Sequence, residues 1–155
     1  MFSGRVCVYM CTLVLSILAI QGCGPGEIAG IDTPLVIGDA QIYLMDAWVN
    51  PNVSIGGSGN KTVMVQLLNI NTEPAGFGSW DIWLTDNNNA RFDPGIIMPQ
   101  TFRLTNVEGD LPDYLEANRD YEQLIIGFGV TKESNSITLH LPEDNTIDIS
   151  SLLNE

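Results

Sequence analysis

The sequence is poor in cysteine, in histidine and in positive charge, and each shortage removes a class of chemistry. Cys7, Cys11 and Cys23 are its three cysteines, so residues 24–155 hold no disulfide framework and no thiolate metal site. His140 is the only histidine, and no Gly-x-Ser-x-Gly elbow accompanies it, so neither acyl transfer nor a zinc centre finds its usual residues. Six Lys and Arg stand against nineteen Asp and Glu. A polyanion releases no counterions from a phosphate backbone, which argues against nucleic acid as a partner. No window beyond position 24 carries a helical apolar stripe of useful length. With so many acids some will face one another, but the loop pair Asp110 and Asp113 reads as solvated charge. A hydrolase is therefore the least supported reading, and the expectation is a protein that is not an enzyme.

What is present begins with an uncharged run from Val6 to Ile20, preceded by Arg5 as the only basic residue. As a helix it spans roughly 22 Å, short of the ~30 Å hydrocarbon core, which favours a cleaved export leader over a membrane span. Ile20-Gln21-Gly22-Cys23 resembles the bacterial lipobox. That resemblance implies a diacylglycerol or fatty acyl lipid on the Cys23 thiol and cleavage that makes Cys23 the new N-terminus. The alternative is an ordinary cleaved leader with Cys23 as an incidental thiol. Removing Arg5 from the basic residues leaves five against nineteen acids, a formal charge of −14. Such a domain would be held at a membrane by its lipid rather than by its surface charge. The expected division is a signal peptide over 1–22, a Gly/Pro-punctuated lipidated linker over 23–37, and a domain over 38–155. Gly24 is not the aspartate associated with inner-membrane retention, so an outer membrane is favoured where there are two. The domain would face the periplasm or the exterior.

The remainder alternates with the period of strands. Ala40 to Val49 and Thr62 to Ile70 are apolar runs, the second apolar on both faces and so expected in the middle of a covered sheet. From Ser79 to Thr85, Trp80, Ile82 and Leu84 alternate with Asp81, Trp83 and Thr85. Arg91-Phe92, Met98 to Thr105, Tyr121 to Val130, Ile137 to Leu141 and a final stretch at Ile147 add further strands, and Glu108 to Glu116 has room for one helical turn. Gly127 and Gly129 share a face of their strand and invite close approach. The pattern predicts an all-β fold, an antiparallel immunoglobulin-like β-sandwich of seven or eight strands behind an N-terminal signal helix. The antibody cysteine pair is absent, which leaves a jelly roll or another sandwich open.

Three pieces carry a family resemblance beyond the leader: Val63-Met64-Val65-Gln66-Leu67-Leu68-Asn69-Ile70-Asn71, Ile82-Trp83-Leu84-Thr85-Asp86-Asn87-Asn88, and Leu115 to Phe128. In the last, Ala117-Asn118 stands where a Pro-Gly-like turn precedes a late core strand. Together they resemble the uncharacterised immunoglobulin-like (telokin-like) domain found in bacterial lipoproteins. The resemblance implies a fold and a cell-envelope address, and no catalytic residues.

Two candidate sites follow. Asp86-Asn87-Asn88-Asn89 with Asp93 is an oxygen-rich turn, and Asp86, Asn88 and Asp93 are candidate calcium ligands, although a hairpin turn explains the same residues. Trp83 points outward if Trp80 points in, and with Trp48 it is a candidate platform for a sugar or a protein partner. His140 falls on the outer face of its strand. The expected function is a membrane-anchored cell-envelope lipoprotein whose sandwich binds an envelope protein without catalysis. A carbohydrate-binding module using exposed tryptophan is the alternative.

Overall fold

Alternating side chains commit each strand of this chain to two environments, and the backbone follows that commitment. In a computed structural model, which describes residues 34–105 and 115–154, the described residues form nine strands. They are β1 (Leu35–Ile37), β2 (Ala40–Val49), β3 (Asn60–Asn69), β4 (Trp83–Asp86), β5 (Arg91–Phe92), β6 (Pro94–Arg103), β7 (Asp120–Thr131), β8 (Ile137–Leu141) and β9 (Asn145–Asp148). Short 3-10 turns occupy Phe77–Ser79 and Ser150–Asn154. All pairings are antiparallel. One sheet has the order β1-β2-β3-β7-β6 and the other β5-β4-β8-β9. The all-β, two-sheet expectation is met.

The core lies between the sheets. Ile42, Leu44 and Ala47 of β2, Val63, Val65 and Leu67 of β3, and Leu124, Ile126, Phe128 and Val130 of β7 face Leu84, Ile137, Leu139 and Leu141 of the smaller sheet. Phe77 stands edge-on to Trp80, with ring centroids 4.9 Å apart, and both pack at the margin of this layer. The larger sheet is apolar on its outer face too. Tyr43, Leu68, Leu104, Leu115 and Tyr121 form a second cluster there. Beside it Gln66 donates to Gln123 over 2.9 Å, and Gln123 to Gln100 over 3.4 Å, so a polar ladder crosses three strands.

Four sequence expectations shift. Leu35–Ile37, read as the end of the linker, pairs with β2 and belongs to the sheet. The strand expected from Ser79 starts only at Trp83, because Phe77–Ser79 turns to seat its phenyl ring in the core. The strand expected from Met98 starts at Pro94. Asp93-Pro94-Gly95 is not a stop but the point where the chain leaves one sheet and enters the other, with a bulge between Pro94 and Ile96. The strand total exceeds the seven or eight expected. The signal helix and most of the helical turn expected at Glu108 to Glu116 lie outside the described residues.

Two local devices set the large sheet. Asn118 takes φ 62, the left-handed conformation asparagine tolerates, and its amide donates to the carbonyl of Leu104 over 2.7 Å. The turn delivers Tyr121 to the start of β7, where its hydroxyl accepts the Glu116 amide at 2.6 Å and returns to the Glu116 carbonyl at 3.4 Å. At the far end, Ile55 of the β2–β3 loop lies over Gly127 and Gly129. A Cβ on Gly129 would sit 2.3 Å from the Ile55 carbonyl oxygen.

Tyr121→Phe keeps the ring and loses the bonds, so a stability lower by about 1 kcal/mol is expected, read as a lower urea midpoint at unchanged slope. Gly129→Ala forces the Ile55 backbone outward. A loss of about 1–3 kcal/mol is expected in the same assay, and Ile55→Ala is not expected to restore it, because the nearest clashing atoms are the Ile55 carbonyl oxygen and carbon.

Candidate functional site

Alternation in β4 turns Leu84 into the core and Trp83 and Thr85 out, onto the exposed face of the smaller sheet. The register sets His140 of β8 directly opposite Trp83. Their rings stack 4.9 Å apart at an interplanar angle of 8°, and His140 Nε2 lies 2.8 Å from Thr85 Oγ1. From β5, on the other side of β4, the Arg91 guanidinium lies 4.4 Å from the Trp83 ring centroid. Arg91 is fixed in turn: its Nε donates to Asp93 over 2.7 Å and its Nη2 to Asp81 over 3.1 Å. Arg91, Trp83 and His140 thus form a continuous row across three strands. Neighbours flank the indole on both sides, so it offers its edge outward rather than an open face. Exposed ion pairs such as these add little to stability, but here they orient the guanidinium.

Trp48 lies elsewhere. It pairs with Met64 on the outer face of the larger sheet, so the two tryptophans occupy opposite sides of the sandwich. Cys23 lies outside the described residues.

Asp86, Asn88 and Asp93 do not converge on one point. Asp86 is buried at the end of β4 with hydrogen-bond donors around both oxygens. Oδ1 accepts the amides of Asn88 at 2.8 Å and Ala90 at 3.0 Å, and Oδ2 accepts the Ser134 hydroxyl at 2.9 Å. Asp93 is turned to Arg91 instead. Such donors serve a carboxylate as a cation would, and they hold the turn closed. Among the described residues no group of three His, Cys, Asp or Glu is placed to hold a metal ion.

Sequence reasoning did not find the partner of Asp86. Ser134, in the β7–β8 loop, is buried, bonds to Thr131 Oγ1 at 2.6 Å, and offers its carbonyl to Lys61 Nζ at 2.6 Å. A serine in a loop carries no signal of burial, and only the fold brings it to Asp86. Burial by itself raises the Asp86 carboxyl, and is the largest single influence. The Ala90 amide, the Ser134 hydroxyl and the Asn88 groups together outweigh it and hold the carboxyl below its ordinary value. A carboxyl depressed by folding contributes stability in full above its unfolded value and loses it as pH falls through the folded one. Asp120, held down by Arg103, and Asp148, held down by Ser150, share this sign. Asp86→Asn is therefore expected to be less stable at neutral pH and to lose less stability on acidification than the parent. Chemical denaturation across the acid range measures both.

The chain matches no protein-family profile, no curated protein and no solved structure.

Proposed function

We propose that the protein is a cell-envelope lipoprotein, anchored through lipid on Cys23, whose immunoglobulin-like β-sandwich is a non-catalytic binding domain for another envelope protein. The strand order supports the immunoglobulin-like part of this reading. β2-β3-β7-β6 occupy the places of strands A, B, E and D, and β5-β4-β8-β9 those of C′, C, F and G, with β1 as an added edge. Tyr121, bonded back to the turn before its strand, resembles the tyrosine corner of such domains, although it starts the strand in place E rather than F.

The observation that carries the binding reading is the Arg91–Trp83–His140 row. Tryptophan and arginine are the residue types most often central to protein interfaces, and rigid side chains lose little entropy on binding. Here they are pre-ordered on strands rather than on loops. A glycan-binding reading through Trp83 or Trp48 needs an open aromatic face. The flanked Trp83 indole favours a protein partner over a stacked sugar.

Two measurements test the two halves separately. Metabolic fatty-acid labelling is expected to mark the parent and not Cys23→Ser, and an unmarked parent removes the anchor. Cross-linking in intact cells is expected to give an adduct with one envelope protein that Trp83→Ala and Arg91→Ala each reduce at least several-fold. Glycan-array binding abolished by Trp83→Ala would instead support the carbohydrate reading.

A further inference from the structure

Carboxylates stand around the Arg91–Trp83–His140 row. Asp81 and Asp93, which hold the Arg91 guanidinium, have side chains 71% and 69% exposed. On β9 the alternation that buries Ile147 turns Asp148 out onto the face that carries His140, opposite Thr138. Each of these carboxylates is fixed through one oxygen only. Oδ1 of Asp81 and Oδ1 of Asp93 accept from Arg91, and Oδ1 of Asp148 accepts both the amide and the hydroxyl of Ser150. Among the described residues nothing bonds to Oδ2 of any of them. The other cations of the described chain are engaged elsewhere. Lys61, Lys132 and Arg119 each donate to a main-chain carbonyl, and Arg103 holds Asp120.

We propose that the partner of this face is a basic protein whose lysines meet Asp81, Asp93 and Asp148 while its surface covers the edge of the Trp83 indole. The inference rests on the binding reading above and adds the partner's charge to it. An interface of this kind has an aromatic centre and a polar rim. Charges at the rim speed encounter and exclude wrong partners more than they add affinity. With six Lys and Arg against nineteen Asp and Glu, the chain repels acidic surfaces, a second copy of itself included. The complementary charge must then come from the partner. Lysine suits the geometry better than arginine. A guanidinium fork pairs with both oxygens of one carboxylate, and here one oxygen already serves Arg91 or Ser150. An ammonium is a point donor and needs only the oxygen that remains. Asp81 and Asp93 are tied to one guanidinium and Asp148 to Ser150, so these acceptors are in place before the partner arrives and lose little freedom on binding.

The test is a carbodiimide applied to isolated envelopes that carry the full chain. This reagent joins a carboxylate to an amine with loss of water and leaves no spacer, so it reports direct contact with lysine and not with arginine. The expected result is an amide, mapped on peptides, between Asp81, Asp93 or Asp148 and a lysine of one envelope protein. Its yield is expected to fall several-fold from low to high salt, because exposed charges are screened. Asp81→Asn combined with Asp93→Asn keeps an oxygen on each side chain for Arg91 and removes both charges. That variant is expected to lower the in-cell adduct several-fold at unchanged circular dichroism. Glu73→Gln, in the loop after β3, is expected to leave it as in the parent. Amides mapped only to acids away from this face, a yield indifferent to salt, or an undiminished adduct in the double variant would overturn the proposal and leave the row as a binding site. No adduct with either reagent would remove the binding reading, and this inference with it.

Discussion

The domain depends on one layer of apolar contact, that between the inward faces of β3 and β7 and those of β4 and β8. With no cysteine beyond position 23, nothing covalent holds the sheets together, and the layer must supply the cohesion itself. Val63, Val65, Leu67, Leu124, Phe128, Leu84, Ile137 and Leu139 are each fully withdrawn from water. The central position of β3 and β7 in the larger sheet follows from this. They are the longest apolar stretches, and an edge position would leave half of them wet. The same layer fixes the outward residues, because a slip of one position in β4 or β8 would exchange Leu84 for Trp83 and Leu139 for His140.

Polar groups then lock what the apolar layer only positions. Asp86 and Ser134 join the β4–β5 turn to the β7–β8 loop, and Lys61 closes the same corner from β3. At the opposite end Asn69 is wholly buried, accepts the amides of Gln41 and Asn71, and donates to the Glu73 carbonyl. Glu122 takes the Ala75 amide at 2.6 Å, which ties the loop after β3 to β7. Each end of the sandwich thus has a buried or half-buried side chain serving main-chain groups that no strand satisfies.

Much of the fold was legible because alternation is a direct record of burial. The faces of β4, β7 and β8 followed from Ile82, Leu84, Leu124, Ile126, Leu139 and Leu141, and the two glycines of β7 announced the close approach that Ile55 makes. What escaped was set by contacts distant in sequence. Pro94 and Gly95 look like a terminator, and only the change of sheet turns them into a strand start. Leu35-Val36-Ile37 is too short to stand out from a spacer until β2 offers it a partner. The candidate site was half legible. Period two gave the outward direction of Trp83 and His140, but their stacking, and the arrival of Arg91 from the other side, depend on cross-strand register. Asp86 reads as a solvent-facing turn acid in sequence because the donor that buries it is 48 positions away.

β1 forms one flank of the larger sheet beside β2, and the turn at Ser150–Asn154 also lies against β2. Both ends of the described fold therefore lie beside β2, on the flank away from β6. A circular permutant would run its connector along that flank, and the new termini could be opened in the glycine-rich loop around Ser58. A fusion joined at Pro34 or Asn154 would hang from that same flank and leave the opposite rim of the sheet unencumbered.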